Sequence, residues 1–305
     1  MPQSEKHILV IRLSAMGDVA MVVPVLRNLT SQNDAVKITV LTKPLFKPFF
    51  RDIPNVEVIT ADVKGQHKGV YGLYKLARFI NKNHKFYALA DLHSVLRSKV
   101  LKKFIKCRRF ISIDKGRKEK KLLTSGKIFK QLKTTHQRYA EVFETLGFPV
   151  DLSEPVFPES VKLNNKLCEI IGEQRNGLLG IAPFAAHDGK MYPLDLMEKV
   201  VESLSADYKI ILFGGGKNEI AILDRWQKFH QNTVSVAGKL SIEEELDIMS
   251  NLDVMLSMDS GNGHMAAMLG VKVITIWGVT HPYAGFAPFH QPEDYAITAD
   301  RNQFP

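Results

Sequence analysis

Val254-Met255-Leu256-Ser257-Met258-Asp259-Ser260-Gly261-Asn262-Gly263-His264-Met265-Ala266-Ala267-Met268-Leu269-Gly270, running on into Val271-Lys272-Val273-Ile274-Thr275-Ile276-Trp277-Gly278, is the stretch whose reading decides the fold. The apolar run that ends at Met258 has the length of a buried strand. The Ser-Gly-Asn-Gly cluster breaks it, Met265 to Leu269 favour helix, Gly270 stops that helix, and a second apolar run follows. Strand, tight turn, helix and strand make one βαβ unit. Its turn brings backbone N–H groups and the positive end of a helix to the carboxyl end of a strand, where α/β sheets bind ligands and where phosphate is well held. Gly261 and Gly263 are expected to leave room for close backbone approach. The same residues also suit an ordinary βα turn in which Asp259 caps a helix, so the turn by itself leaves both readings open.

The rhythm extends in both directions. Ile8 to Leu13 reads as a strand, Ser14 to Val19 as a turn, and the following residues as a helix through about Leu29, kinked or begun at Pro24. Strands are expected at Ile38 to Leu41, Val56 to Ile59 and Tyr87 to Leu92, and helices at Val70 to Asn83, Arg97 to Lys106 and His136 to Leu146. Lys115 to Lys127 reads as a basic loop. Alternating strands and helices argue for a parallel sheet covered on both faces. Pro155 and Pro158, among acids between Asp151 and Glu159, mark a linker. Beyond it the pattern restarts, with Ser241 and Glu244 forming a capping box for the helix to Met249. The expected architecture is α/β, with two doubly wound parallel-sheet domains, residues 1–158 and 159–305, and a cleft between them.

Composition narrows the function. The 305 residues are 45% hydrophobic, enough for about two domains with sizeable cores. Cys107 and Cys168 lie far apart and match no metal-ligand spacing, which points to a reducing compartment. No signal-peptide core or membrane-length apolar run is present, so a cytoplasmic location is expected. The net charge is +9, yet Arg97 to Lys133 holds fifteen Lys or Arg against Asp114 and Glu119. An anionic partner met by one region follows. The segment has few aromatics and no nucleic-acid module, so nucleic acid is not expected. A phosphorylated substrate or the anionic inner leaflet of a membrane fits better, and a plain solvated face is the bland alternative.

Known nucleotide fingerprints are missing. No GxGxxG follows the first strand, and Gly214-Gly215-Gly216-Lys217 lacks the spacing of a phosphate loop. Dehydrogenase and ATPase readings lose ground accordingly. Asp18, in the turn after the first strand, has the position either of a general base or of a helix cap.

Three motifs together resemble a known family: Ile11-Arg12-Leu13-Ser14-Ala15-Met16-Gly17-Asp18-Val19 with Pro24; Ala182-Pro183-Phe184-Ala185-Ala186-His187-Asp188-Gly189-Lys190-Met191-Tyr192-Pro193; and Asp259-Ser260-Gly261 with His264 and Gly270. In this order and over essentially the whole chain they are similar to the family 9 glycosyltransferases, the heptosyltransferases of lipopolysaccharide core synthesis. The resemblance implies a GT-B fold of two Rossmann-like domains and an inverting transferase without metal or cofactor, the first domain holding the acceptor and the second a nucleotide-sugar, ADP-heptose. By that likeness Asp18 is the general base and Lys190 faces the donor phosphates. Ser260 and Gly261 hold the diphosphate, Asp259 the sugar hydroxyls, and His264 braces the turn. Glu219 falls at the ribose position and Leu240 where the base packs. Asp91 to Ser98 resembles the acceptor-side motif, which places Arg97, and with it Lys102, Lys103 and Arg108 of the basic segment, beside an anionic glycolipid. A non-catalytic sugar-nucleotide binder on the same fold, or a transferase for another nucleotide-sugar, is the alternative. Three departures stand out. Ala185 and Ala186 replace hydroxyl residues, removing donor hydrogen bonds of roughly 1 to 2 kcal/mol each. The Gly-Pro-Thr turn of relatives appears as Gly278-Val279-Thr280, and relatives continue past Pro305 into a further helix.

Overall fold

The computed structural model describes residues 6–173, 176–300 and 303. They form two compact units. Unit 1 takes the chain up to Lys127 together with Lys133–Val156; unit 2 takes Ile128–Leu132 and the chain from Phe157 onward. The changeover falls inside the proline-rich stretch.

In unit 1, β1 (Lys6–Ile11), β2 (Val36–Thr42), β3 (Val56–Thr60), β4 (Ala88–Asp91) and β5 (Arg109–Ser112) pair in parallel in the order β3-β2-β1-β4-β5. Ile8, Leu9, Val10 and Ile11 of the central strand are fully buried, because helices cover both faces of the sheet. These are α1 (Met16–Ala20), α2 (Val22–Gln32), α3 (Gly69–Asn83), α4 (Leu96–Phe104), α5 (Arg117–Thr124) and α6 (Thr135–Thr145).

Three local expectations change here. The single helix expected to Leu29 is two, α1 and α2, separated at Met21. Pro24 sits in the first turn of α2, where its missing N–H removes no intrahelical bond. The basic loop expected from Lys115 contains α5, held by buried Leu123, with Arg117, Lys118 and Lys121 facing outward and Lys120 half-buried. The edge strand β5, only four residues long and partly exposed, gave no apolar run to read.

In unit 2, β6 (Leu178–Ala182), β7 (Lys209–Leu212), β8 (Thr233–Ser235), β9 (Val254–Met258), β10 (Lys272–Ile276) and β11 (Ala296–Ile297) form a parallel sheet in the order β11-β10-β9-β6-β7-β8. Helices α7 (Asn165–Ile171), α8 (Leu194–Ser205), α9 (Lys217–Phe229), α10 (Ile242–Met249) and α11 (Gly261–Met268) complete the layers. Met197, Val201, Leu212, Leu223, Trp226 and Met258 share one core. The capping box of α10 forms as the sequence indicates, Ser241 Oγ accepting from the Glu244 N–H at 3.2 Å. Gly263 serves a close approach, and it does so within the fold. A Cβ there would lie 2.4 Å from Ser257 Oγ, so this glycine lets α11 lie close on β9.

Both sheets reverse strand order once: unit 1 between β1 and β4, unit 2 between β6 and β9. The loops leaving these strands open the crevices where doubly wound sheets bind ligands.

Candidate functional site

In unit 2, the loops after β6 and β9 flank the reversal. The loop after β6 ends in a short 3-10 turn, Asp188–Lys190, and the one after β9 is the Asp259-Ser260 turn into α11. Lys190 Nζ lies 2.6 Å from Asp259 Oδ2. Thr280 Oγ1 donates to the same oxygen at 2.8 Å. The Asp259 side chain is 7% exposed and that of Lys190 24%, so the carboxylate is nearly enclosed while part of the ammonium stays open. Gly278 makes this join possible. Its added Cβ would fall 2.3 Å from the Gly189 carbonyl oxygen, and the Val279 N–H donates to that carbonyl at 2.9 Å. Ser260 is the N-cap of α11 but makes no side-chain cap bond, and its buried Oγ has no hydrogen-bond partner among the described residues. The start of α11 therefore keeps backbone donors and the positive helix end for an anion. His264 is buried in the first turn of α11.

Because every strand is parallel, the exits of β7 and β8 lie at the same carboxyl edge. Glu219 follows β7 in the first turn of α9, and its Oε2 accepts the Gly215 N–H at 2.7 Å. Leu240 follows β8, half-buried ahead of α10. The structure thus brings Lys190, Asp259, Ser260, Gly261 and His264 together, with Glu219 and Leu240 farther along one edge.

In unit 1, Asp18 sits in the first turn of α1, just past β1. Its Oδ2 lies 2.5 Å from Arg12 Nη2 and accepts the Ala15 N–H at 3.1 Å. The Asp18 side chain is 35% exposed and so open to solvent. Arg12 is buried and also donates from Nη1 to the Leu92 carbonyl at 2.6 Å, which ties the exit of β1 to that of β4. Tyr139 Oη donates to the Asp18 carbonyl at 3.2 Å. Ser14 Oγ and His93 Nε2 approach at 3.4 Å across the same reversal. Burial, with Arg12 and Lys115 nearby, pushes His93 down to about 4, so the ring is neutral at physiological pH. Asp91 shapes this turn: it accepts the His93 and Ser94 N–H groups at 3.0 and 2.8 Å and the Ser98 hydroxyl at 2.9 Å.

Cations surround Asp18. Burial lowers Lys115 and brings Lys120 down to about 8, and Asp18 opposes the shift in both. A pocket of about 470 Å³ adjoins, lined by Ser94, Lys99, Lys115, Arg117 and Lys118 among others. Arg97, in the first turn of α4, acts electrostatically on His93 and belongs to this end of the unit. Lys102 and Lys103 occupy the last turn of α4, and Arg108 immediately precedes β5. A nine-residue helix spans about 13 Å, so these three lie toward the amino edge of the sheet, away from Asp18.

Sequence reasoning did not single out Arg12, His93, Lys115, Lys120 or Thr280. Arg12 carried a signal, a charge at the end of an otherwise apolar buried strand. Lys115 and Lys120 were hidden among fifteen similar residues.

The whole-chain comparison settles the family. A family model described as glycosyltransferase family 9 (heptosyltransferase) matches residues 74–302. The chain belongs to glycosyltransferase family 9. This family 9 chain is 24% identical to the lipopolysaccharide core heptosyltransferase OpsX of Haemophilus influenzae, over 98% of this chain and 86% of that one. It superimposes on a family 9 glycosyltransferase from Veillonella parvula with a TM-score of 0.79 at 20% identity, covering 98% of this chain and 88% of that chain. It also matches the E. coli heptosyltransferase WaaC solved with ADP, with a TM-score of 0.73 at 18% identity and coverage of 97% and 94%. The family 9 chain is thus a glycosyltransferase of GT-B fold, as its three motifs indicated. Among its described residues no helix is long and apolar enough to cross a membrane.

Proposed function

We propose that this chain transfers heptose from ADP-heptose to a hydroxyl of an anionic lipopolysaccharide-core acceptor, inverting the anomeric carbon without a metal ion. The observation that carries the reading is the Lys190 ammonium, fixed by Asp259 beside the uncapped start of α11 at the strand-order reversal of unit 2. A diphosphate there accepts from the Ser260 and Gly261 amides and pairs with Lys190. As the bond from the anomeric carbon to the diphosphate breaks, its electron pair leaves on the diphosphate oxygen, and these fixed donors stabilise that charge. We assign Asp259 to the sugar hydroxyls as well as to orienting Lys190, Glu219 to the ribose and Leu240 to the base.

Asp18 is assigned as general base. The acceptor oxygen forms the new glycosidic bond and its proton passes to the carboxylate, which Arg12 holds in place. Arg97, Lys115 and Lys120 are assigned to the acceptor's anionic groups. The outward basic face with Lys102, Lys103 and Arg108 is assigned to the anionic inner leaflet that presents the lipid, in the cytoplasm. Support comes from the relatives' names: a lipopolysaccharide core heptosyltransferase, a lipooligosaccharide heptosyltransferase and a heptosyltransferase solved with ADP.

A second reading, another nucleotide-sugar, is favoured by Ala185 and Ala186, which offer the donor no hydroxyl. One experiment separates the two. The protein is incubated with a panel of nucleotide-sugars and a heptose-free lipopolysaccharide core, and the released diphosphate is identified. ADP release with ADP-heptose only, lost with Asp18→Asn while donor affinity persists, supports the proposal. Release of a different diphosphate, or full turnover by Asp18→Asn, overturns it.

A further inference from the structure

At the opposite, amino edge of the unit 1 sheet, three side chains from distant parts of the chain converge. His7 lies on β1, Glu57 on β3, and His84 directly follows α3. Strand register places them. Thr39 of β2 pairs with Glu57 on one side and Leu9 on the other, and Lys37 pairs with His7, so His7, Lys37, Thr39 and Glu57 project from one face of the sheet. Glu57 Oε1 lies 3.5 Å from His7 Nε2 and 3.3 Å from His84 Nδ1. All three donor atoms lie within 4.8 Å of one another.

We propose that His7, Glu57 and His84 bind a divalent first-row transition metal of zinc type. Two imidazole nitrogens and one carboxylate oxygen are the donor set such ions take. With bonds of about 2.0 to 2.1 Å, tetrahedral ligand atoms stand about 3.3 to 3.4 Å apart, which the two Glu57 distances match. The His7–His84 edge closes by side-chain rotation, and water takes the fourth position. The site is accessible but not floppy: the side chains of His7 and His84 are 15% and 20% exposed and that of Glu57 41%. The His84 ring stacks on Phe86 with centroids 5.6 Å apart, and His7 tilts against the same ring at 4.7 Å. This apolar wall restricts both imidazoles.

Thr39 supplies the support that a carboxylate ligand needs. Its hydroxyl donates to Glu57 Oε1 at 2.6 Å and so must accept from His7 Nε2 at 2.7 Å. His7 therefore holds a proton on the nitrogen that would ligate the metal. Binding takes the other neutral tautomer, with the ring proton on Nδ1, and leaves the Thr39–Glu57 bond intact. Lys37 acts against binding, since its charge reaches Glu57. The site lies at the end of β1 remote from Asp18, so its role is to pin β1, β3 and the start of β4 together, and it takes no part in sugar transfer.

The test uses untagged full-length protein, stripped with chelator and titrated with Co2+ and then Zn2+. One Co2+ per chain gives visible absorption of tetrahedral intensity, which Zn2+ displaces. Zn2+ raises the Tm by about 5 °C. His84→Ala and Glu57→Gln each weaken binding about 100-fold while the metal-free Tm and donor affinity stay near those of the parent. Lys37→Ala tightens binding. No tetrahedral spectrum, or Co2+ binding that survives His84→Ala and Glu57→Gln unchanged, overturns the proposal.

Discussion

Lys190 and Asp259 stand 69 residues apart in the chain and meet at 2.6 Å, with Thr280 completing the set on the same carboxylate oxygen. Asp259 is nearly enclosed, so its negative charge depends on these two partners. Lys190→Ala leaves that charge uncompensated and removes the cation assigned to the leaving diphosphate. The expected results are a stability loss of about 2 to 3 kcal/mol in urea unfolding and a fall in kcat of about 100- to 1000-fold. Thr280→Val removes one hydrogen bond and leaves the cation, so it should cost about 1 kcal/mol and less than tenfold in kcat. Equal kinetic damage from both variants would show that Asp259 positioning, and not the ammonium, limits the reaction.

Arg12 is a positioning residue for Asp18. It is buried, and its two terminal nitrogens serve different loops, Nη1 the Leu92 carbonyl and Nη2 the Asp18 carboxylate. A lysine has one nitrogen and no fork, so it cannot hold both. Arg12→Lys is expected to lower kcat about tenfold and to leave the donor Kd, measured by calorimetry, unchanged. A change in donor Kd alone would remove Arg12 from the acceptor side.

Much of this arrangement was legible before any coordinates. Parallel buried strands such as β1 and β9 announce themselves as apolar runs, and the carboxyl-edge turns with Asp18 and Asp259 follow directly from them. The short edge strand β5 and the cationic helix α5 did not, because four half-exposed residues show no period and a helix anchored mainly by Leu123 looks like a solvated run. The two helices replacing one at Met21 depend on backbone geometry that Pro24 hints at without fixing. The site was harder than the fold. Nothing in Arg97 to Lys133 separates Lys115 and Lys120, which return to Asp18, from Lys102 and Lys103 at the far end of α4. That distinction is made by which way the helix runs.

Lys120 gives the basic segment a pH signature. Burial and then Arg138 bring its ammonium down to about 8, so it is mostly charged near pH 7 and mostly neutral near pH 9. If it holds an acceptor anion, the KM for acceptor should rise about tenfold over that interval while the KM for donor stays level. Lys120→Arg, which keeps its charge, should flatten the profile. Reversing Lys102, Lys103 and Arg108 together should leave the pH dependence in place and weaken binding to anionic vesicles. A profile unaffected by Lys120→Arg would assign the acceptor's anion to other residues.

Glu245 separates stability from catalysis. Glu243, Glu244 and Glu245 occupy the first turn of α10, where the positive helix end favours carboxylates. Glu244 pairs with Lys166 and accepts from Ser241, and these partners hold it down to about 2. Glu245 is turned inward, and burial raises it to about 7. Its folded value lies above its unfolded one, so the native state binds the proton more tightly. The stabilisation is fully present below about pH 4.5 and is lost as pH climbs from there to about 7. Glu245→Gln keeps the shape without the charge. It should stabilise the protein by about 2 kcal/mol near pH 8 and leave it unchanged near pH 4, read from urea midpoints at the two values. Equal midpoints for parent and variant near pH 8 would mean that Glu245 reaches water in solution and pays no penalty for its charge.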